Sequence, residues 1–265
     1  MTSYERRQSM IELLRQQPGL RIHDFAKTFG VLAGTIRNDF NALEKQGLLI
    51  RVHGGAVLDQ QDNFQYNSFK LRYQKNAAEK LAIATAAAAL IEDGDSFFID
   101  SSSTAFYLGQ ALSARHRLRA VTNGFEIARK LANNPSNSVI LIGGVVNNES
   151  SSVTGMLSEQ TILKLHTQKA FVSCSGFSLE RGLTEVYIAE AQIKQIAIHS
   201  SQQLIALIDS SKFGKEDLTP IASSEQITHL FTGAGLTPEW IEKLNRARIH
   251  FTICTETEAE AALAR

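Results

Sequence analysis

Cysteine is nearly missing from this chain. Cys174 and Cys254 are its only two, both inside apolar, strand-like runs. That excludes a disulfide-stapled fold and predicts buried free thiols in a reducing compartment. Long apolar stretches are missing too: the longest, Leu81 to Ile91, spans eleven residues, too short to cross a bilayer. The polar, amphipathic N-terminus shows no signal peptide, so a cytoplasmic location and no membrane partner are expected. His166, His199, His229 and His250 stand singly, without metal-ligand spacing. No G-x-G-x-x-G occurs, which leaves Gly143-Gly144 weak as a nucleotide motif. No metal and no cofactor are expected, and no internal repeat is apparent.

The formal net charge is +0, but the balance is uneven along the chain. Residues 1–57 hold eight Lys/Arg against five Asp/Glu, an excess of +3, which leaves the remainder at −3. An excess that small fits a solvated surface as well as it fits contacts with nucleic-acid phosphates. With 265 residues, 43% of them hydrophobic, the chain suits one small and one larger domain.

What is present begins with helical periodicity. Ser3 to Gln17 reads as a helix with Met10, Ile11, Leu13 and Leu14 inward, stopped by Pro18-Gly19. Asp24 to Phe29 reads as a short second helix with Phe25, Ala26 and Phe29 inward and Gly30 ending it. Ile36, Phe40 and Leu43 then recur at i, i+4 and i+7, an apolar stripe on a helix from about Ala33 to Gln46. Its opposite face carries Gly34, Asn38, Asn41 and Lys45, flanked by Thr35 and Arg37. That face is polar, partly cationic and free of bulky apolar groups. Two helices joined at Gly30 make a helix-turn-helix, whose second member can enter a major groove. Leu48 to Val57, reversing at Gly54-Gly55, reads as a hairpin wing with Arg51 and His53 at its tip. A unit this small is seldom an enzyme. The first domain is placed at 1–57 and a polar linker at 58–74, whose Phe64, Phe69 and Tyr73 are expected to dock onto one of the domains.

Residues 31–56 resemble the N-terminal signature of the DeoR family of bacterial transcriptional regulators, V-x-x-x-T-I-R-x-D-x-x-x-L-E-x-x-G-x-L-x-R-x-H-G-G-A. Val31, Thr35, Ile36, Arg37, Asp39, Leu43, Glu44, Gly47, Leu49, Arg51, His53, Gly54, Gly55 and Ala56 meet it. Two positions depart from it. Leu32 stands where the family usually has a capping Ser, and losing such a cap costs about 1 kcal/mol. Asn38 stands where a second Arg usually follows Arg37; Asn pairs bidentately with adenine, whereas Arg favours guanine. The resemblance implies a winged helix-turn-helix that binds double-stranded operator DNA as a homo-oligomer, dimer or tetramer. Thr35, Asn38 and Asn41 would face base edges; Arg37, Lys45, Arg51 and His53 would hold phosphates or the minor-groove edge.

Over residues 75–265 helix and strand alternate. Helix Ala77 to Leu90 precedes a strand at 96–100, and a helix then runs to Leu112. Further strands at 120–122, 139–142, 170–173, 204–209, 229–231 and 249–253 are separated by helices at 125–132, 157–165, 188–199 and 238–244. Trp240 on the last helix reads as packing, and Asn147 to Val153 as a polar, bulge-prone connection. Apolar strands alternating with helices predict an α/β domain whose parallel sheet is covered on both faces. Ligands of such a sheet sit beyond the carboxyl ends of its strands. Polar groups gather there: Asp100 to Thr104, Thr122-Asn123-Gly124, Gly143-Gly144 and Asp209 to Gly214. The hydroxyls and amides of 100–104 at a helix N-terminus suit a phosphate dianion, although helix capping alone would also account for them. Lys212 could reach a phosphate or a sugar hydroxyl, or stay a solvated loop lysine.

This half resembles the C-terminal effector domain of the same family, which is similar in fold to ribose-5-phosphate isomerase. The family's D-S-S-K-F pattern is intact from Asp209 to Phe213, as is Thr122-Asn123. Its D-x-G-[ST]-T pattern is met by Asp100 to Thr104, except that Ser102 replaces the Gly and narrows the phosphate loop. The resemblance implies a phosphorylated sugar as effector, held by Asp100, Ser101, Ser102, Ser103, Thr104, Thr122, Asn123, Gly176, Glu185 and Lys212. It implies a repressor of a carbohydrate-catabolism operon whose DNA complex weakens when the effector binds. An isomerase would need a carboxylate base and donors for an enediolate. Glu185 and Glu190 are the only carboxylates near the 176–184 loop, which lacks the isomerases' dense glycines, so catalysis is not expected. Glu185 is read as orienting a ligand hydroxyl or forming a surface pair. A protein-docking adaptor is the remaining rival.

Overall fold

The computed structural model describes residues 2–16, 20–45, 48–52, 55–58 and 69–255. They divide between Ser68 and Phe69 into two compact units. In the first, α1 (Ser3–Gln16), α2 (Ile22–Phe29) and α3 (Ala33–Lys45) accompany an antiparallel hairpin of β1 (Leu49–Val52) and β2 (Gly55–Leu58). Helical spacing gathers Met10, Ile11, Leu14, Phe25, Ile36, Phe40 and Leu43 into one core that Leu49 and Ala56 complete. Phe25 meets Phe40 edge-on with ring centres 5.2 Å apart, and Gly30 closes α2 in the left-handed conformation at φ 63°. Gly55 is there for space: a Cβ would lie 2.6 Å from the Leu20 carbonyl oxygen. The returning strand of the wing therefore lies directly against the start of α2.

One charge is sunk in this small core. Asp39 is 2% exposed, and its two carboxylate oxygens separately accept from Arg6 Nε at 2.7 Å and Arg7 Nε at 2.8 Å. The pair of bonds stitches α1 to α3.

Both ends of the expected linker at 58–74 fall in described elements. Leu58 ends β2, and α4 (Phe69–Gln74) belongs to the second unit. Phe69 and Tyr73 both stand edge-on to Phe106 at 5.3 Å, and Tyr73 stacks on Tyr107 at 4.8 Å. These aromatics bury α4 against the unit it precedes, so the unit starts before residue 75. Phe64 lies outside the described residues.

The second unit continues with α5 (Ala77–Ala88), β3 (Ser96–Ile99), α6 (Ser103–Ala111), β4 (Arg119–Thr122), α7 (Phe125–Ala132) and β5 (Ser138–Leu141). A hairpin of β6 (Val145–Asn147) and β7 (Ser152–Thr154) leads to α8 (Met156–Ile162) and β8 (Thr167–Val172). Then come β9 (Gly176–Ser178), β10 (Gly182–Glu185), α9 (Ile188–His199), β11 (Ser201–Leu207) and β12 (Thr219–Ala222). The last elements are β13 (Ile227–Gly233), α10 (Pro238–Arg246) and β14 (Phe251–Cys254). Seven strands pair in parallel in the order β14-β13-β11-β8-β3-β4-β5. Successive side chains enter opposite cores, as the strand period requires. Phe97, Ile99, Phe171, Ile205 and Leu207 pack with α5 and α6, while Phe98, Ala170, Val172, Ala206 and Ile208 pack with α9.

Two features depart from the sequence-based expectation. The polar stretch at 147–153 is part of the β6–β7 hairpin, and β12-β10-β9 form a small antiparallel sheet where loops were expected. Their strands are three or four residues long, too short for a period to register. The order of the large sheet matters most. From β3 the chain moves to β4 and β5 on one side, then crosses to β8, β11, β13 and β14 on the other. The switch point, where such sheets bind ligands, falls at the carboxyl ends of β3 and β8.

Candidate functional site

Asp100 follows β3 at that switch point and holds it together. Its Oδ1 accepts from the Ser102 amide at 3.1 Å, its Oδ2 from the Ser173 amide at 2.9 Å, and it is fully buried. Both its oxygens are therefore engaged by backbone amides of the surrounding loops. Ser102 caps α6 by accepting from the Ala105 amide at 3.1 Å with φ −68°, an ordinary conformation that does not require glycine. The amides of Ser103 and Thr104 sit in the first turn of that helix, where no intrahelical acceptor exists. Beside them, Asn123 donates from Nδ2 to Ser101 Oγ at 3.1 Å, while its Oδ1 is buried with no hydrogen-bond partner among the described residues. Thr122 Oγ1 is spent on the Gly124 amide.

Below this loop lies a cluster that the sequence reading did not assemble. Lys194 of α9 is 2% exposed and donates to Glu185 Oε2 at 2.5 Å and to the Ser173 carbonyl at 3.1 Å, with Asp100 Oδ2 3.4 Å away. Burial opposes its charge, but Glu185, Asp100 and Glu190 more than offset that and push its pKa up. Burial likewise opposes ionisation of Glu185, yet the Lys194 charge and the Ser175 hydroxyl bond hold its pKa below the usual range. Glu185 is thus a buried ion-pair partner, which corrects the surface-pair alternative of the two expected for it. Glu190 is also buried and accepts from Ser152 Oγ at 3.0 Å, and Ser152 meets Ser150 at 2.7 Å. A signal was present: Glu190 and Lys194 are four apart on the stripe of α9 that also buries Ala191 and Ala197. Gly176 opens β9 where a Cβ would lie 2.5 Å from the Lys215 carbonyl oxygen, so its role is close packing of backbone.

The segment 209–213 follows β11, which pairs with β8 in the sheet. Asp209 is buried and accepts from Ser211 and from Asn76 Nδ2 at 2.9 Å. Burial opposes its ionisation, but Lys212 and these bonds hold its pKa low. The charge of Lys212 also reaches Cys174 at the end of β8, whose buried thiol is nevertheless pushed up to about 12. Lys212 is half-buried, and its ammonium has no hydrogen bond or ion pair among the described residues. Phe213 packs edge-on to Phe177 and Trp240, both at 5.3 Å. Ser210 donates from its amide at 2.8 Å and its hydroxyl at 3.0 Å to Glu79 of α5. Nearby, Lys80 is buried and donates to the carbonyls of Arg72 and Lys75 at the end of α4. Segment 209–213 is thus tied to the α4–α5 joint through Asn76 and Glu79.

In the first unit, Arg37, Asn38, Asn41, Lys45 and Arg51 are exposed and Thr35 is half-buried. His53 lies outside the described residues. Arg51 sits within β1, paired with Ala56, and donates from Nη1 to Asn41 Oδ1 at 2.7 Å. Asn41 therefore has its acceptor occupied, whereas Asn38 makes no hydrogen bond among the described residues. Leu32 is 81% exposed and offers the start of α3 only its carbonyl, which accepts from Thr35 at 2.9 Å and Ile36 at 3.3 Å.

Residues 6–62 match the DeoR-like helix-turn-helix domain and residues 75–234 the DeoR C terminal sensor domain. The chain belongs to the DeoR family. It is 36% identical to the HTH-type transcriptional regulator GolR of Listeria innocua, over 88% of this chain and 91% of that protein. It is 30% identical to the putative aga operon transcriptional repressor of Escherichia coli O157:H7, over 95% of this chain and 94% of that one. Among solved structures, ribose 5 phosphate isomerase A of Neisseria gonorrhoeae overlaps 51% of this chain and 52% of its own, at a TM-score of 0.37 and 15% identity. DeoR membership makes the chain a helix-turn-helix transcriptional regulator and not an enzyme, with one DNA-binding unit and one sensor unit for a small molecule. Among the described residues no helix is long and apolar enough to cross a membrane, and no cluster of three His, Cys, Asp or Glu side chains could hold a metal ion.

Proposed function

We propose that this DeoR-family regulator is a cytoplasmic, homo-oligomeric repressor of a carbohydrate-catabolism operon, released from double-stranded operator DNA by a phosphorylated sugar. The observation that carries the effector reading is the unfilled acceptor Asn123 Oδ1, buried while its Nδ2 donates to Ser101 in the loop that leads into α6. A buried polar atom without a partner costs about 1–3 kcal/mol, and a ligand hydroxyl would satisfy it. The phosphate would take the Ser103 and Thr104 amides and the Lys212 ammonium; the sugar hydroxyls would face Asn123. Ser101 and Ser102 support the loop, with Asp100, Thr122, Gly176 and Glu185 shaping the walls.

On the DNA side, Thr35 and Asn38 would read base edges and Arg37, Lys45, Arg51 and His53 would hold the backbone, with Asn41 fixing Arg51. Repression by the E. coli relative is in its name, which supports the sign of the response. Release requires the effector to prefer the conformation that binds DNA poorly; a tenfold preference supplies about 1.4 kcal/mol. The hydrogen bonds that Asp209 accepts from Asn76 and Ser210 donates to Glu79 give segment 209–213 a direct hold on the α4–α5 joint, the sensor unit's first described elements.

The test is a gel-shift titration of the fragment upstream of the neighbouring operon at low salt, with a panel of sugar phosphates. Retention of the fragment and release by one ester are expected, and Lys212→Met should raise the concentration needed for release roughly tenfold without changing DNA affinity. Release that is identical in the variant removes Lys212 from the site.

A further inference from the structure

Of the twelve large apolar side chains that stand exposed among the described residues, seven fall between residues 140 and 163, led by Val145 at 70%, Met156 at 67% and Val146 at 63%. They lie on β5, β6 and the α8 turn, which meet around Gly143. β5 runs through residues 142–144 into β6, and Ser158 of α8 donates to the Gly143 carbonyl at 2.7 Å. α8 buries Ser158 and Ile162, four apart, and turns Met156 and Leu163, seven apart, outward.

β5 closes one end of the seven-stranded sheet and, among the described residues, pairs only with β4. The amides of Ser138 and Ile142 donate toward β4, to Leu118 at 2.8 Å and Thr122 at 3.0 Å. Alternation then points those of Val139 and Leu141 away from the sheet. Folded proteins blunt free edges with lysines, bulges or covering loops. Here Ile140 and Leu141 are 40% and 43% exposed, and no charged residue occurs from 131 through 148.

We propose that this face is the contact between two copies of the chain, joined about a two-fold axis with β5 against β5. The edge itself argues for this occupant: antiparallel pairing of β5 with its duplicate satisfies the outward amides and carbonyls of both, and a two-fold axis sets each apolar patch on its own copy. Charge argues the same way. Residues beyond 57 carry −3, so two copies meet with least repulsion along a stretch that has no charge. The inference rests on the reading that copies act together and supplies their surface.

Sedimentation velocity on the full chain across micromolar concentrations tests it, with folding checked by far-ultraviolet circular dichroism. Ile140→Lys and Val145→Lys should each fall to half the wild-type mass, with self-association weakened about 30-fold or more. Leu90→Lys, at an exposed apolar residue after α5, should assemble as wild type does. Hydrogen exchange of the β5 amides should be slow in wild type and fast in the two variants at equal concentration. A monomeric wild type would overturn both the surface and the joint action. Full assembly by Ile140→Lys and Val145→Lys, with β5 exchange unchanged, would overturn the surface alone.

Discussion

In the DNA-binding unit Asp39 lies between Arg6 and Arg7; in the sensor unit Lys194 lies between Glu185 and Asp100. The signs are reversed and so is the reach of water. Arg6 and Arg7 are 12% and 31% exposed, whereas Asp100 and Glu185 are 0% and 6% exposed. A buried pair broken on one side leaves an uncompensated charge, and that charge is harmful in proportion to how completely it is cut off from solvent. Asp39 therefore acts as a stitch at the margin of a small core. Lys194 is a foundation: the carboxylates it neutralises also hold Ser102, Ser173 and Ser175 around the switch point.

The largest expected effect tests that contrast directly. Lys194→Met should lower sensor-unit stability by about 3–5 kcal/mol, seen as a shift in the urea midpoint of Trp240, the single tryptophan. The contrast is broken if Asp39→Asn, read by far-ultraviolet circular dichroism, costs the DNA-binding unit as much. A loss of about 2 kcal/mol is expected there, because both arginines can rehydrate.

Acidity sharpens the comparison from another side. Burial holds Lys80 down to about 8, with Asp209 pulling the other way, against about 10.4 in an unfolded chain. Between those values the unfolded chain binds more protons, so stability should rise with pH across that window, by at most about 3 kcal/mol. The full penalty applies below pH 8. The rise should vanish from the Trp240 transition in Lys80→Met; a rise that persists would assign the titration to another group. In the opposite range, Glu185 and Asp209 have lowered pKa values. Their stabilisation is complete above the ordinary carboxylate range and is lost as pH falls through their depressed values.

The smallest effect belongs to the DNA-binding unit. Leu32→Ser restores a side-chain acceptor at the start of α3 and should stabilise that unit by about 1 kcal/mol. An unchanged melting transition would show that the exposed leucine costs the helix nothing.

Much of this was legible beforehand, for local reasons. Ile36, Phe40 and Leu43 mark α3 by spacing alone, and Gly30 marks the turn because a left-handed residue ends the preceding helix. The alternation of helices with apolar strands gave the parallel sheet. Asp39 was legible in principle: it fills the i+3 slot between Ile36 and Phe40, on the stripe that faces the core. The buried partner of Glu185 was not legible because nothing near it in sequence supplies a cation; Lys194 is nine positions on, in another element. The short strands of the β6–β7 hairpin and of the small sheet left no period to detect.

By itself the chain's order of residues determined every feature that depends on neighbours a few positions apart: helix faces, turns, strand runs and the family signature. Such features need only backbone geometry and the removal of apolar groups from water. Tertiary structure alone decided which charges meet, which acceptor stays empty at Asn123, and that β5 ends the sheet with an apolar, uncharged edge. Those outcomes depend on strand order and on distances between remote segments, and the energy of a buried charge or of an unpaired edge is set by what folding brings beside it.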